Sequence, residues 1–137
     1  MKANELAGNI YPHIWVPYVP AASGAAGGGL FTVPYNMRLT AATLNWGAAI
    51  TGTATNFFTV SFFNRGAAGA GTVQWATAIA YSNTVNAAKA TPITLTLSST
   101  ASDLLLAAGD VLSVEITTTG TGLVCPGGTV TLSSVYR

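Results

Sequence analysis

The most constraining feature of this sequence is a period-two alternation of apolar and polar residues, which runs in short stretches from Leu30 to the C-terminus. Such alternation places every second side chain on the same face of a β-strand. The stretches recur about every ten residues and are separated by turns rich in glycine, asparagine and proline. The pattern predicts an all-β chain of about seven or eight strands, folded as an antiparallel sandwich or barrel.

Local details sharpen the strand assignment. The alternation changes phase between Ala41 and Leu44, which predicts a β-bulge near residues 41–43. The glycines and alanines of residues 66–71 predict a hairpin loop. The predicted strands are residues 30–34, 37–46, 55–64, 73–81, 93–97, 112–117 and 129–137.

Residues 1–29 have a different character from the rest, so we predict an extended N-terminal arm and tether there and a β-sandwich domain over residues 30–137. The three prolines of residues 12–20 exclude a helix and predict either an edge strand or an extended polyproline-like arm. The Gly/Ala run of residues 21–29 predicts a flexible tether. We expect the large apolar side chains of the arm to be buried against a neighbouring molecule. These predicted assembly residues are Ile10, Tyr11, Ile14, Trp15, Val16 and Tyr18.

The charge content excludes several kinds of partner. The 137 residues, enough for one domain, include five Lys or Arg and four Asp or Glu, for a net charge of +1. Without a basic cluster, neither phosphate-driven nucleic-acid binding nor polybasic membrane docking has an electrostatic source. No apolar stretch reaches the roughly 18 residues of a membrane helix, and no signal-peptide pattern is visible. We therefore expect no nucleic-acid or membrane partner, and synthesis in the cytoplasm, which the single Cys125 fits.

The inventory of reactive groups is thin, so we expect no enzyme, no cofactor and no metal. A Cys125–His13 nucleophile pair is conceivable, but we interpret the two residues as unrelated. The acidic residues Asp103, Asp110 and Glu115 could meet as a calcium site. We favour separate structural roles for them, namely a turn cap, a turn before a strand and a solvent-facing side chain. The glycine runs lack the following helix and basic residue of a phosphate-binding loop.

Two further features concern binding. Trp15, Trp46, Trp75 and the tyrosines could stack on sugar rings, although the alternation predicts a core position for Trp75 and leaves both roles open for Trp46. The outward strand positions are mainly Thr, Ser and Ala, small groups that pack against another flat protein surface without stranding charges. Such a surface is typical of a building block.

Two segments carry a resemblance to a known group of proteins. They are Phe-Thr-Val-Pro-Tyr at residues 31–35, followed by a strand with Leu39, Thr40 and Leu44, and Leu-Ala-Ala-Gly-Asp-Val-Leu-Ser-Val-Glu at residues 106–115. Together they resemble small jelly-roll proteins of tailed bacteriophage virions, including capsid decoration or cement proteins and the head domains of some fibres. The likeness spans residues 30–136.

The resemblance implies a jelly-roll sandwich that forms a homotrimer on the outside of a capsid. It also implies contact with the major capsid (coat) protein, with residues 9–20 reaching to a neighbour. Our hypothesis is a non-enzymatic virion structural protein that stabilises the capsid surface by self-association and by its N-terminal arm. The alternative is a carbohydrate-binding or receptor-binding module, such as a fibre tip, with Trp46 or tyrosines displayed in an exposed groove. A subunit of a host surface layer or appendage is a further alternative.

Overall fold

The structure, a computed structural model, describes residues 12–137. Nine strands form two antiparallel sheets, which we call sheet A and sheet B. The part of the chain that is described contains one short 3-10 turn, Ala101–Leu104, and none of its helical segments has the length and apolarity to cross a membrane. The strands are β1 His13–Val19, β2 Ala26–Thr32, β3 Met37–Trp46, β4 Phe57–Asn64, β5 Val73–Ala80, β6 Ile93–Thr94, β7 Leu105–Leu106, β8 Val111–Thr119 and β9 Cys125–Tyr136.

The strand order is that of a jelly roll. Sheet A has the order β1-β9-β3-β6, with the short β7 also paired to β3, and sheet B has the order β2-β8-β4-β5. The pairs β1 with β9, β2 with β8, β3 with β6 and β4 with β5 trace one long hairpin. Wrapping of that hairpin brings β9 beside β3 and β8 beside β4. The predicted all-β antiparallel sandwich of jelly-roll type is confirmed.

The core between the sheets is organised around two groups of aromatic side chains. At one end Trp46, Phe58 and Tyr81 lie with ring centroids 5.0–5.6 Å apart, in edge-on or tilted contacts. Further along, Phe62 packs on Trp75 at 5.1 Å. Such arrangements contribute about 0.5–1.5 kcal/mol each beyond burial alone. The predicted core position of Trp75 is confirmed, and Trp46 is a core residue as well.

The structure corrects the predicted arm. Residues 13–19 form β1, an edge strand of sheet A that pairs with β9 over its whole length, so the edge-strand alternative is the observed one. Ile14, Val16 and Val19 point into the sandwich's own core and are fully or almost fully buried. Pro17 is accommodated because an edge strand leaves one side of its backbone without ladder partners. The folded unit thus includes residues that we assigned to the arm, and it begins before residue 30.

The structure also corrects the predicted tether. Residues 26–29 are part of β2, which pairs with β8 in sheet B. The glycines are needed for close approach, since a Cβ on Gly29 would overlap the carbonyl oxygen of Trp15 in β1. A Cβ on Gly27 would likewise crowd the side chain of Val19. The glycine run lets the edges of the two sheets meet, which is a packing role that composition alone does not distinguish from flexibility.

Most other local predictions lie close to the observed elements. The predicted strand at residues 37–46 coincides with β3, and its bulge lies between Leu39 and Ala41, slightly before the predicted position. A 3-10 turn lies at residues 101–104, and the next two residues, Leu105 and Leu106, pair with β3 as β7. Its N-cap is Thr100, so the predicted capping role of Asp103 is wrong.

Candidate functional site

The six predicted assembly residues are separated by the fold. Ile14 and Val16 are buried in the core between the two sheets of this chain, so for them the predicted burial against a neighbour is wrong. Trp15 and Tyr18 are 74% and 62% exposed. The other two, Ile10 and Tyr11, lie outside the described residues. Among the described predicted residues, Trp15 and Tyr18 are therefore the ones whose side chains are available for a contact.

These two aromatic side chains flank a groove at one end of the outer face of sheet A, which we call the Trp15 groove. Its volume is about 450 Å³, within the range of about 300–1,000 Å³ that small-molecule sites occupy. It crosses β1, β9 and β3 and reaches the loop before β6. Its lining residues are Trp15, Val16, Tyr18, Asn45, Trp46, Gly47, Ala90, Pro126, Gly127, Gly128 and Thr129.

The strand register explains where the polar groups of the groove lie. Trp15 of β1 and Asn45 of β3 both pair with Thr129 of β9, so the three residues form one row across the sheet. An indole, a hydroxyl and an amide therefore stand side by side. The alternation of β1 breaks at Pro17, next to the left-handed Gly127, and Tyr18 comes out on the exposed side with Trp15.

The floor of the groove consists of backbone. Gly127 and Gly128, near the start of β9, have no side chain, and a Cβ on Gly128 would overlap the carbonyl oxygen of Asn45. Gly127 has φ +78°, and its carbonyl oxygen accepts a hydrogen bond of 2.9 Å from the N–H of Gly47. These two glycines therefore contribute only backbone to the groove, while aromatic side chains stand at its β1 edge.

One wall residue has an unusual backbone conformation. Ala90 has φ +52°, in the left-handed region that costs a residue with a Cβ about 1–2 kcal/mol. Its N–H donates a hydrogen bond of 2.9 Å to the carbonyl oxygen of Trp46, and the preceding loop is tied down by the bridge between Ile50 and Ala87. The surrounding contacts thus hold a strained loop in place at the groove.

The groove rests on a rigid aromatic base. The indole N–H of Trp46 donates a hydrogen bond of 2.6 Å to the hydroxyl of Tyr81 inside the core. Burial raises the pKa of Tyr81, although the hydrogen bond from Trp46 opposes the shift, so this phenol stays neutral. Of the two roles left open for Trp46, the core role is the observed one, because Trp46 is only 1% exposed, and the exposed tryptophan is Trp15.

The outer face of sheet B differs from the groove in its charges. Two guanidinium nitrogens of Arg65 donate hydrogen bonds of 2.8 and 2.5 Å to Oε1 of Glu115, and the Ser113 hydroxyl donates another of 2.8 Å. Partial burial disfavours the charged form of Glu115, but these hydrogen bonds outweigh it and lower its pKa. Because Arg65 also lies 4.4 Å above the ring of Phe63, this ion pair is fixed flat against the sheet.

The groups considered for catalysis do not converge. His13 pairs with Thr131, and Cys125 pairs with Val19 at the other end of the same ladder, about 20 Å away. Cys125 is buried, which raises the pKa of its thiol and makes it a poor nucleophile. The imidazole of His13 instead lies 3.2 Å from the hydroxyl of Thr131.

The acidic residues also have separate partners. Asp110 accepts hydrogen bonds of 3.0 Å from the Ala107 N–H and the Asn64 amide, which confirms its turn role before β8. Asp103 accepts one of 2.6 Å from the Ser98 hydroxyl. Glu115 is bound to Arg65 rather than facing solvent freely. Across residues 12–137, no three side chains of the His, Cys, Asp and Glu types lie together as a metal site.

Asn45, Ala90 and the glycine floor are groove residues that the sequence did not point to. The last strand was predicted to begin at Thr129, whereas residues 125–128 already belong to β9. A usable signal was the Gly-Gly pair at the start of an alternating strand, which indicates a close backbone approach rather than a turn.

Comparisons with known proteins add no assignment. No protein-family model, no curated protein and no solved structure matches this chain. The two segments that carry the resemblance to phage virion proteins do lie together, since the Val33 N–H donates to the Asp110 carbonyl and Phe31 pairs with Leu112. That contact explains their role in the sandwich, and the family itself stays a prediction.

Proposed function

We propose that this protein is a non-enzymatic structural protein of a virion, a decoration or cement protein on the outside of a phage capsid, and that it works through contact area. The observation that carries the proposal is the outer face of sheet B, where Leu30 is strongly exposed and the charges of Arg65 and Glu115 pair with each other. Hydroxyl side chains, among them Thr59, Ser61 and Thr117, lie between these groups.

The strand register describes this contact face, which we define as the row Leu30, Ser113, Phe63 and Gln74 with its neighbours on β2, β8, β4 and β5. Ser113 is buried, so Leu30 and Gln74 are the exposed members of this row and Phe63 is half-buried. Leu30 is 70% exposed on the edge strand β2. The charges of Arg65 and Glu115 on this face neutralise each other. Docking another protein here strands no unpaired charge, and it removes an exposed leucine from water.

Self-association and coat binding follow from the resemblance, and the fold is compatible with both. A face of this kind gives a weak contact for each copy, because small Thr and Ser side chains bury little apolar area. Many copies on one shell make the sum strong, since neighbouring contacts raise the effective concentration of each one. A decoration protein would be held on its capsid by many such weak contacts acting together.

Light scattering tests self-association. The purified chain is expected to show a threefold mass that falls toward the monomer on dilution, and Leu30→Asp is expected to shift it to monomer at the same concentration. Val85→Asp, on an exposed loop between β5 and β6, is the matched control and should leave the mass unchanged. A strict monomer at high concentration, or equal effects of both substitutions, contradicts the proposed contact face.

Particle analysis tests the virion assignment. Mass spectrometry of purified particles from the encoding virus is expected to detect this chain in many copies, and chelators or nucleases should not release it. If the chain is absent from the particles, or if the purified protein turns over a substrate in a hydrolase panel, the proposed function is overturned.

A further inference from the structure

The proposed function does not use the Trp15 groove, which has two features that the depression beside Leu30 on the contact face lacks. It carries two exposed aromatic side chains at one edge, and none of the described residues that line it is charged, whereas Glu115 lines the depression beside Leu30. These features are typical of a small-molecule site, in which a few polar groups fix the orientation of a bound ligand.

The charge of the groove restricts the ligand. Among the described residues that line it, none carries a formal charge. A phosphate, carboxylate or ammonium group entering it would be desolvated without an opposite charge to compensate. The ligand class is therefore uncharged.

The surface chemistry restricts the ligand further. The face of an indole or phenol ring is the negative end of its quadrupole, so it attracts C–H groups that carry a small positive charge. The amide of Asn45 and the hydroxyl of Thr129 lie in the same row as Trp15 and offer hydrogen-bond donors and acceptors. A ligand with a C–H face and a rim of hydroxyl groups satisfies both surfaces, and this is the chemistry of a neutral sugar ring.

The spacing of the aromatic residues indicates the size of the ligand. Trp15 and Tyr18 are three residues apart on β1, or about 10 Å along the strand. One sugar ring cannot stack on both side chains, whereas a chain of several rings can. From this geometry we infer that the Trp15 groove binds a neutral oligosaccharide, stacked on Trp15 and Tyr18 and hydrogen-bonded to Asn45 and Thr129.

Intrinsic fluorescence gives a direct test with the whole protein. The chain has three tryptophans, of which Trp15 is exposed at the groove, Trp46 lies beneath it and Trp75 is buried elsewhere in the core. A change in tryptophan emission on ligand addition therefore reports the groove, and loss of that change in Trp15→Phe assigns it to Trp15. We would titrate the protein with maltohexaose, cellohexaose, xylohexaose and mannohexaose, and with sialylated and phosphorylated glycans as the charged set. At least one neutral hexasaccharide is expected to shift the emission saturably.

Variants assign the binding to the groove. By calorimetry, Trp15→Ala is expected to weaken binding by about tenfold or more, and Tyr18→Ala by less. Trp15→Phe should retain part of the affinity, because an aromatic face remains. Leu30→Asp, on the other sheet, should leave the affinity unchanged, and its circular dichroism should match the wild type.

Three results would overturn the inference. They are the absence of binding to every neutral hexasaccharide, binding of the charged set alone, and loss of the oligomer on Trp15→Ala without any glycan effect. The last result would make the groove a protein interface. The inference does not depend on the virion assignment, since glycan affinity and oligomeric mass are measured separately and each can fail alone.

Discussion

The Trp15 groove on sheet A and the contact face on sheet B are both nearly neutral, but they reach neutrality in different ways. The contact face keeps two charged residues and pairs them, with Arg65 held between Glu115 and the ring of Phe63. Within residues 12–137 the groove has no charged lining residue, and its glycine backbone lies above a buried aromatic pair. The contact face is neutral because its charged side chains pair with each other. The groove is neutral because uncharged side chains and glycine backbone line it.

The largest expected effect concerns the base of the groove. Trp46→Ala removes a buried indole and the hydrogen bond to Tyr81, so we expect the free energy of unfolding to fall by about 3–5 kcal/mol. Trp15→Ala, at the exposed edge of the same groove, should change it by no more than about 0.5 kcal/mol. Urea denaturation followed by circular dichroism measures both. Equal losses of stability for the two variants would contradict the assignment of Trp46 to the buried base and of Trp15 to the exposed edge of the groove.

A smaller effect is expected at the floor. Gly128→Ala places a Cβ against the carbonyl oxygen of Asn45, so β9 and β3 must move apart, at a cost of about 1–3 kcal/mol. Ser133→Ala, a half-buried position in the same strand, is the control and should change stability by less than about 0.5 kcal/mol. Urea denaturation curves measure the change in the free energy of unfolding for both variants. An unchanged stability of Gly128→Ala would show that this position does not require glycine.

The smallest effect concerns the ion pair of the contact face. The folded-state pKa of Glu115 lies below its ordinary value of 4.5, so its charged form stabilises the fold above that pH, and the contribution disappears as the pH falls through the folded-state pKa. Glu115→Gln removes this contribution. The stability difference between wild type and variant should therefore shrink between about pH 6 and pH 3. A difference that stays constant over this range would mean that the carboxylate's charge contributes nothing.

Much of the sandwich could be predicted because its signals are local. Residues 37–46 alternate clearly, and the change of phase marks the bulge that the structure places between Leu39 and Ala41. The placement of β1 could not be predicted in the same way. Its partner β9 lies 118 residues away at the His13–Thr131 pair, and only that pairing decides whether Ile14 and Val16 face a core or a neighbour.

The groove illustrates the same limit. Trp15 and Trp46 look alike in sequence, each next to residues that allow a strand. Their exposure is set by which face of sheet A meets sheet B, and this depends on the packing of the complete sandwich. The glycine run of residues 21–29 predicts a flexible tether, whereas at Gly27 and Gly29 the structure leaves no room for a side chain. Composition identifies a glycine-rich segment, but it does not identify the backbone that approaches it.

The pairing of β1 with β9 also governs how the chain reaches its native state. The first strand of sheet A leaves the ribosome early, and it has no partner in its own sheet until β9 has been synthesised. During translation the backbone edge of β1 and the side chains of Ile14 and Val16 stay uncovered. Long-range pairing of this kind slows folding and exposes the nascent chain to aggregation. We therefore expect sheet A to form only after β9 has been synthesised, with Pro17 in β1 discouraging premature pairing between nascent chains.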